Sequence, residues 1–425
     1  MAPLVVATAE LTTRFAGDAG IYGWTREALG PFWGFLCAWL YWTCNLPFFS
    51  GMLYFIANSL AGAGGPRVHA LLAQPLPFLA FAGVLAAAVS ALHLLGLGAG
   101  KWLNTFGASA TGVLVAFLIG AVAVLAVRHG APRFMAGARW TAPLNADGAA
   151  LWATMVFAFG GPEALALLRG DVEGGTPKIL RVLAIVGVIL VAAYLLGTFA
   201  ILNLLAPSDI TRLSGVPDAL RLALQRLGLA PLAPVALIIL ALSMLGGYSA
   251  WFGVAARLPF VVGVDHFLPA AFAYRHPRTG APVVSIVVQT GIVLLLIALG
   301  QLGETVKGAY DFLVAMSVIS YTIPFVFLFL VYLRVQSAPP PADGWTPGGP
   351  RRARLIGAVG LGVTLSAIAC TLVPSADAAD KARAVVKLVV SSTVLIGAGC
   401  CLWAWAYRRA AADLSRRGKG DAPAK

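Results

Sequence analysis

Charge is scarce in this chain: Asp, Glu, Lys and Arg make up 11% of its 425 residues, against about a quarter in ordinary soluble domains. Together with 60% hydrophobic residues and a mean hydropathy of +0.86, that scarcity excludes a water-soluble enzyme. Histidine is rare as well; the five present are scattered, and no Ser/His/Asp constellation or metal-ligating pair can be assembled from them. The five cysteines, Cys37, Cys44, Cys370, Cys400 and Cys401, sit inside apolar runs without zinc-ligand spacing and read as free thiols among helices. The run Gly357-x-x-Gly360-x-Gly362 lies in an apolar stretch and follows no strand, which argues against a phosphate loop. No metal and no cofactor are expected. Signal-peptide features are missing too: Met1 opens directly on apolar residues, without a basic start or a small-residue cleavage site.

What is there is a row of apolar runs. Ten reach the roughly 20 residues that a helix needs to cross a bilayer, at about 31–60, 77–95, 107–127, 148–168, 180–205, 231–256, 282–300, 308–333, 353–373 and 384–407. Helix is the expected form, because backbone groups facing lipid must be bonded within their own segment. The chain therefore reads as an all-α polytopic membrane protein with ten full spans and one partial span. The partial one is Met1 to Thr13, apolar but too short to cross, like the back half of a helix whose front is missing. Residues 1–407 form one transmembrane domain. Within it, the Pro/Gly-rich, basic stretch 334–354 is expected to be a flexible loop, and the polar tail 408–425 to be disordered. Residues 217–224 read as a short amphipathic helix on the surface.

The charges that do occur fall in the connections and carry orientation. Of the 30 Lys and Arg residues, 19 lie in one alternate set of connections, which includes the C-terminal tail, and 11 in the other. The excess places the first set and the C-terminus in the cytoplasm. The net charge of +13 then belongs to a multi-pass protein of the inner (cytoplasmic) membrane whose large partner is the lipid bilayer, not nucleic acid.

Function in such a chain is sought where apolar helices break or carry polar groups. The sharpest case is Phe157-Ala158-Phe159-Gly160-Gly161-Pro162-Glu163, where two glycines and a proline interrupt a span just before a carboxylate. Glycine costs about 1 kcal/mol and proline about 3 in a helix interior, so the backbone there is expected to be unwound and to offer carbonyls and N–H groups to a ligand. Glu163 is expected to exchange a proton as a gate moves. The alternative is a kinked structural helix whose Glu bonds a neighbour. A second break is Tyr41-Trp42-Thr43-Cys44-Asn45-Leu46-Pro47-Phe48-Phe49, with Pro47 kinking the first full span and Asn45 offering a hydrogen bond beside it. At Leu245-Gly246-Gly247-Tyr248 paired glycines permit the close approach of either a ligand or another helix. Pro324 kinks a later span.

Three stretches together resemble the amino acid–polyamine–organocation superfamily of secondary transporters. Ala9-Glu10-Leu11 with Ala19-Gly20-Ile21-Tyr22-Gly23-Trp24 and Leu29-Gly30-Pro31-Phe32-Trp33-Gly34-Phe35 is similar to the junction of the family's second and third helices. The 157–163 break, followed by Gly170-Asp171-Val172-Glu173 and Thr176-Pro177-Lys178, is similar to its broken sixth helix. Ala255-Ala256-Arg257, Asp265-His266-Phe267-Leu268-Pro269 and Gly280-Ala281-Pro282 resemble its eighth-to-ninth connection. The resemblance implies an inverted-repeat, leucine-transporter-type fold plus two C-terminal helices, lacking the first helix and part of the second. It implies a permease for amino acids or related amines that works by alternating access. An amino acid/amine exchanger, or a non-transporting paralogue acting as sensor or scaffold, are the alternatives.

By comparison with the superfamily's arginine–agmatine antiporters, Cys44, Asn45, Phe157 and Tyr248 are expected to meet substrate; the freed backbone from Phe157 through Ala158, Phe159 and Gly160 to Gly161 is expected to meet its ends, and Phe49 to pack with Phe157 and Tyr248 on its side chain. Tyr41 and Glu163 are expected to form part of an inner gate. Two features depart from relatives. Phe325 and Phe327 stand just past Pro324 where those antiporters have tyrosines, which departs from a three-membered hydroxyl–carboxylate gate. No Lys or Arg occurs between Lys101 and Arg128, where some proton-coupled relatives carry a lysine.

Overall fold

The computed structural model describes all residues except 16, 18, 130–144, 172–174, 207–208, 212, 266, 301–305, 339–345, 347, 374–380 and 421–425. The elements are α1 (Ala2–Arg14), α2 (Gly20–Leu29), α3 (Pro31–Thr43), α4 (Asn45–Leu72), α5 (Pro75–Leu94), α6 (Leu97–His129) and α7 (Ala146–Ala158). A 3₁₀ segment (Pro162–Asp171) follows, then α8 (Gly175–Leu204), α9 (Gly215–Arg226), α10 (Ala233–Val264), α11 (Val283–Gly300), α12 (Val306–Val335), α13 (Pro350–Thr371) and α14 (Lys381–Gly420). Among the described residues there is no strand, and the protein is an all-α, multi-pass membrane protein. Among the described residues, eight helical runs are long and apolar enough to cross a bilayer, and two shorter apolar helices, Leu151–Leu167 and Val283–Leu299, stand at the two remaining expected spans.

Burial sorts the helices into inner and outer. The most apolar stretches of α12 and of the α3–α4 run are 67% and 61% buried, whereas that of α8 is only 17% buried. Val188, Ile189 and Leu195 of α8 and Val113 and Val127 of α6 project outward, a surface that suits lipid and not water. The inner helices α3, α4, α10 and α12 share one continuous core that includes Tyr41, Phe49, Tyr248, Phe252, Tyr321 and Phe325. Helix α6 crosses α10 where glycine meets glycine: a Cβ on Gly246 would stand 2.6 Å from the Gly107 Cα. Gly357 and Gly360 likewise let α13 lie against Tyr332, Leu333 and Phe329 of α12, so that glycine run is a packing surface.

The short amphipathic helix expected at 217–224 is α9, which buries Ala219, Leu220, Ala223 and Leu224. Helix α14 runs on to Gly420, through the first part of the basic tail 408–425. Of the expected 334–354 loop, residues 339–345 and 347 lie outside the described residues, as do 421–425, while 350–354 open α13.

Candidate functional site

Within the stretch 157–163 the chain leaves helical form at 159–161. Helix α7 ends at Ala158, and the chain resumes as a 3₁₀ turn at Pro162. Gly161 has φ +118°, a region that only glycine enters cheaply. Gly160 is needed for a different reason: a Cβ there would stand 2.2 Å from Cε1 of Tyr321, so the glycine lets that ring lie directly on the backbone. The two glycines thus do separate work, one turning the chain and the other admitting a side chain from α12.

Glu163 follows at once and is buried, with 1% of its surface exposed. Its Oε1 accepts hydrogen bonds from the Tyr41 hydroxyl at 2.8 Å and from the Tyr321 hydroxyl. Its Oε2 accepts the Gly161 N–H at 3.0 Å. One carboxylate therefore joins α3, α12 and the broken helix, with three donors compensating a charge that burial would otherwise make prohibitive. The hydroxyl–carboxylate cluster is three-membered after all. Its third member comes from Tyr321, three residues before Pro324, and not from the positions after it that hold Phe325 and Phe327. Sequence reasoning missed Tyr321; its only signal was a tyrosine one turn ahead of a helix-breaking proline.

Beside this cluster the aromatic rings touch in sequence. Phe157 packs edge-on against Tyr321 at 5.3 Å and against Phe48 at 5.9 Å. Phe49 meets Tyr248 at 5.4 Å and Phe252 at 5.6 Å. Tyr321 also meets Tyr41 at 5.7 Å and Phe325 at 4.8 Å. The Tyr248 hydroxyl is buried without a hydrogen-bond partner, a costly arrangement inside an apolar wall unless something polar comes to it. Trp251, another residue missed from sequence, covers Gly161, where a Cβ would lie 3.2 Å from its ring.

Of the eleven residues expected at the site, the structure brings Tyr41, Phe49, Phe157, Gly160, Gly161, Glu163 and Tyr248 into one connected cluster. Cys44 and Asn45 sit at its edge, where α3 gives way to α4, and both bond the last turn of α3. The Asn45 amide donates to the Tyr41 carbonyl at 2.6 Å and Cys44 Sγ to the same carbonyl at 3.0 Å. Phe159 turns away and packs on Tyr194 of α8 at 5.1 Å, while the Tyr194 hydroxyl takes the Ala158 carbonyl at 2.8 Å. One carbonyl freed by the break is thus already satisfied by protein. Gly246 belongs to the α6–α10 crossing, so helix packing explains that glycine.

A helix broken at a buried carboxylate, ringed by aromatics and set among membrane spans, defines a membrane transporter and not an enzyme. The amino acid permease family model matches residues 1–403, and the chain belongs to that family. An uncharacterized transporter of Legionella pneumophila is 26% identical over 378 residues, 88% of this chain and 80% of the relative. An uncharacterized transporter of Mycobacterium tuberculosis H37Rv is 25% identical over 364 residues, covering 84% and 72%. The serine/threonine exchanger SteT of Bacillus subtilis is 24% identical over 338 residues, covering 77% and 72%.

Proposed function

We propose that the chain is a secondary active transporter that carries amino acids or related amines across the cytoplasmic membrane, C-terminus inside, by alternating access around residues 157–163. The observation that carries this reading is the Glu163 cluster: three segments that must part for a passage to open are held by one carboxylate at the point where a helix is unwound. The substrate's ammonium group is met by the carbonyl end of α7 at Ala158, where the helix dipole is negative. The Gly161 N–H is held by Glu163 in this conformation and is freed for the substrate only when that carboxylate moves. The substrate's side chain packs among Phe157, Phe49 and Tyr248, and the unpartnered Tyr248 hydroxyl offers it one hydrogen bond. Cys44 and Asn45 line the edge of that pocket.

Opening separates Tyr41 and Tyr321 from Glu163. A carboxylate stripped of two donors takes a proton in their place, and this gives the cycle a route for proton coupling without a lysine in the middle of α6. A second reading, exchange of one substrate for another, is favoured by the relative named as a serine/threonine exchanger. Uptake of labelled serine and threonine into vesicles made with the purified protein, empty or preloaded with either amino acid, tests both. Uptake into empty vesicles along a proton gradient supports coupled transport, and uptake only into preloaded ones supports exchange. No uptake of any of the twenty amino acids in either case rejects the reading.

A further inference from the structure

Glu163 is not the only buried carboxylate on these helices. Glu10 of α1, with none of its surface exposed, is held by four side chains from three segments. Its Oε1 accepts from Arg14 Nε at 2.8 Å, from Gln336 Nε2 at 3.0 Å and from the Thr346 hydroxyl at 3.1 Å, while its Oε2 accepts from the Tyr332 hydroxyl at 2.9 Å. Arg14 reaches on to the carbonyls of Val335 at 3.1 Å and Ala338 at 3.3 Å, closing the open carbonyl end of α12 with a cation. The pair therefore grips the last turn of α12 from both its side chains and its backbone.

The same helix carries Tyr321. Tyr321 and Tyr332 are eleven residues apart, almost three whole turns at 3.6 residues per turn, so they lie on one face about 16 Å apart. Each gives its hydroxyl to a buried glutamate on a different segment. Pro324 stands between them and removes one rung of the ladder that would make the helix a stiff rod. Gln336, in giving its amide to Glu10, leaves its own buried oxygen unpartnered. Such an acceptor is relieved as soon as the helix end moves toward water. The grip is therefore many-handed and contains one group that favours release.

We propose that Glu10 is a positioning residue of the gate: with Arg14 it clamps the end of α12 and so sets Tyr321 against Glu163, and release of this clamp accompanies opening. The meaning of opening rests on the permease reading, but the clamp can be tested without transport. Cys44 lies beside the cluster and is 1% exposed; Cys37, one helical stretch earlier on α3, is fully buried and bonds none of the gate residues. Each serves as a reporter in a protein whose other four cysteines are replaced by alanine, labelled with N-ethylmaleimide.

Tyr332→Phe removes one hydroxyl and little volume. It is expected to raise the labelling rate of Cys44 roughly tenfold, the population shift that loss of one charge-assisted hydrogen bond produces, while Cys37 labels as before. Glu10→Gln is expected to do the same more strongly; if that variant does not fold, Tyr332→Phe carries the test. An unchanged Cys44 rate, or an equal rise at both cysteines, which would be general loosening, overturns the proposal. If Cys44 responds as expected but no amino acid enters vesicles with the unaltered protein, the clamp stands and the permease reading falls.

Discussion

Gly160→Ala adds a single methyl group, yet it should disable the gate. Gly160 does not need a positive φ, so alanine meets no backbone penalty there, and the effect is purely steric. The new Cβ would stand 2.2 Å from Cε1 and 2.7 Å from the hydroxyl oxygen of Tyr321, where ordinary contact is about 3.5–4.0 Å. The ring cannot simply slide aside, because Tyr41, Phe157 and Phe325 flank it at 5.7, 5.3 and 4.8 Å. A retreat of about 1.5 Å toward ordinary contact breaks the hydrogen bond to Glu163. Hydrogen bonds to charged groups contribute about 1.5–3 kcal/mol, which corresponds to a shift of roughly 10- to 150-fold in the closed-to-open ratio. The assay is initial uptake of a carried amino acid in vesicles, compared among the unaltered protein, Gly160→Ala, Tyr321→Ala, and the double variant. The methyl should cost at least about tenfold in maximal rate. It should cost nothing further once Tyr321 is already alanine, because the clash has gone. Normal uptake by Gly160→Ala, or full additivity with Tyr321→Ala, would refute the reasoning.

Three further outcomes follow from the same geometry. Glu163→Gln puts an amide, half of it a donor, where the Gly161 N–H and two hydroxyls need an acceptor on both sides; uptake should fall by at least about tenfold, on the order of a lost charged hydrogen bond, and unchanged uptake in vesicles would contradict the cluster. Gly246→Ala should lower thermal stability in detergent, by about 1–3 kcal/mol, because the added Cβ meets backbone of α6 that cannot rotate away; tryptophan fluorescence on heating reads this, and an unchanged midpoint would contradict the crossing. Tyr22, on the short helix α2 between α1 and α3, gives its hydroxyl to Asp265, whose Oδ2 also accepts Arg26 Nη1 at 2.6 Å. Burial first, then the Asp265 hydrogen bond and charge, push the Tyr22 phenol above its usual value of 10.0. A group whose pKa is raised on folding stabilises fully below its unfolded value and loses that contribution as pH rises beyond it. Tyr22→Phe should therefore flatten the alkaline loss of stability above about pH 10, measured as melting temperature against pH.

How much of this was legible in the sequence depended on whether a residue type was incompatible with its surroundings. Gly160, Gly161, Pro162 and Glu163 announced themselves because none of them fits the interior of an apolar helix. The scarcity of charge likewise settled the membrane setting, and the spacing of apolar runs placed the spans. Tyr321 was hidden because a tyrosine in an apolar run violates nothing. Its role depends on α12 lying beside a segment 158 residues earlier in the chain, a relation that no local pattern records. Phe159 and Asn45 show the limit of adjacency, because each residue along an interrupted stretch points in its own direction: Phe159 packs on Tyr194 of α8, and the Asn45 amide bonds the Tyr41 carbonyl at the pocket's edge. Tyr41 was reached through family resemblance, since it stands 122 residues before Glu163 and no local pattern links the two.

The most direct test of the central claim is labelled serine and threonine exchange in vesicles with the protein purified from its native membrane, set beside the Tyr321→Phe variant. This substitution removes only the hydroxyl that the structure gives to Glu163. The account predicts saturable uptake by the unaltered protein and a loss of at least about tenfold in the variant. Equal uptake by the two proteins would contradict the claim that Glu163 and its two tyrosines form the gate.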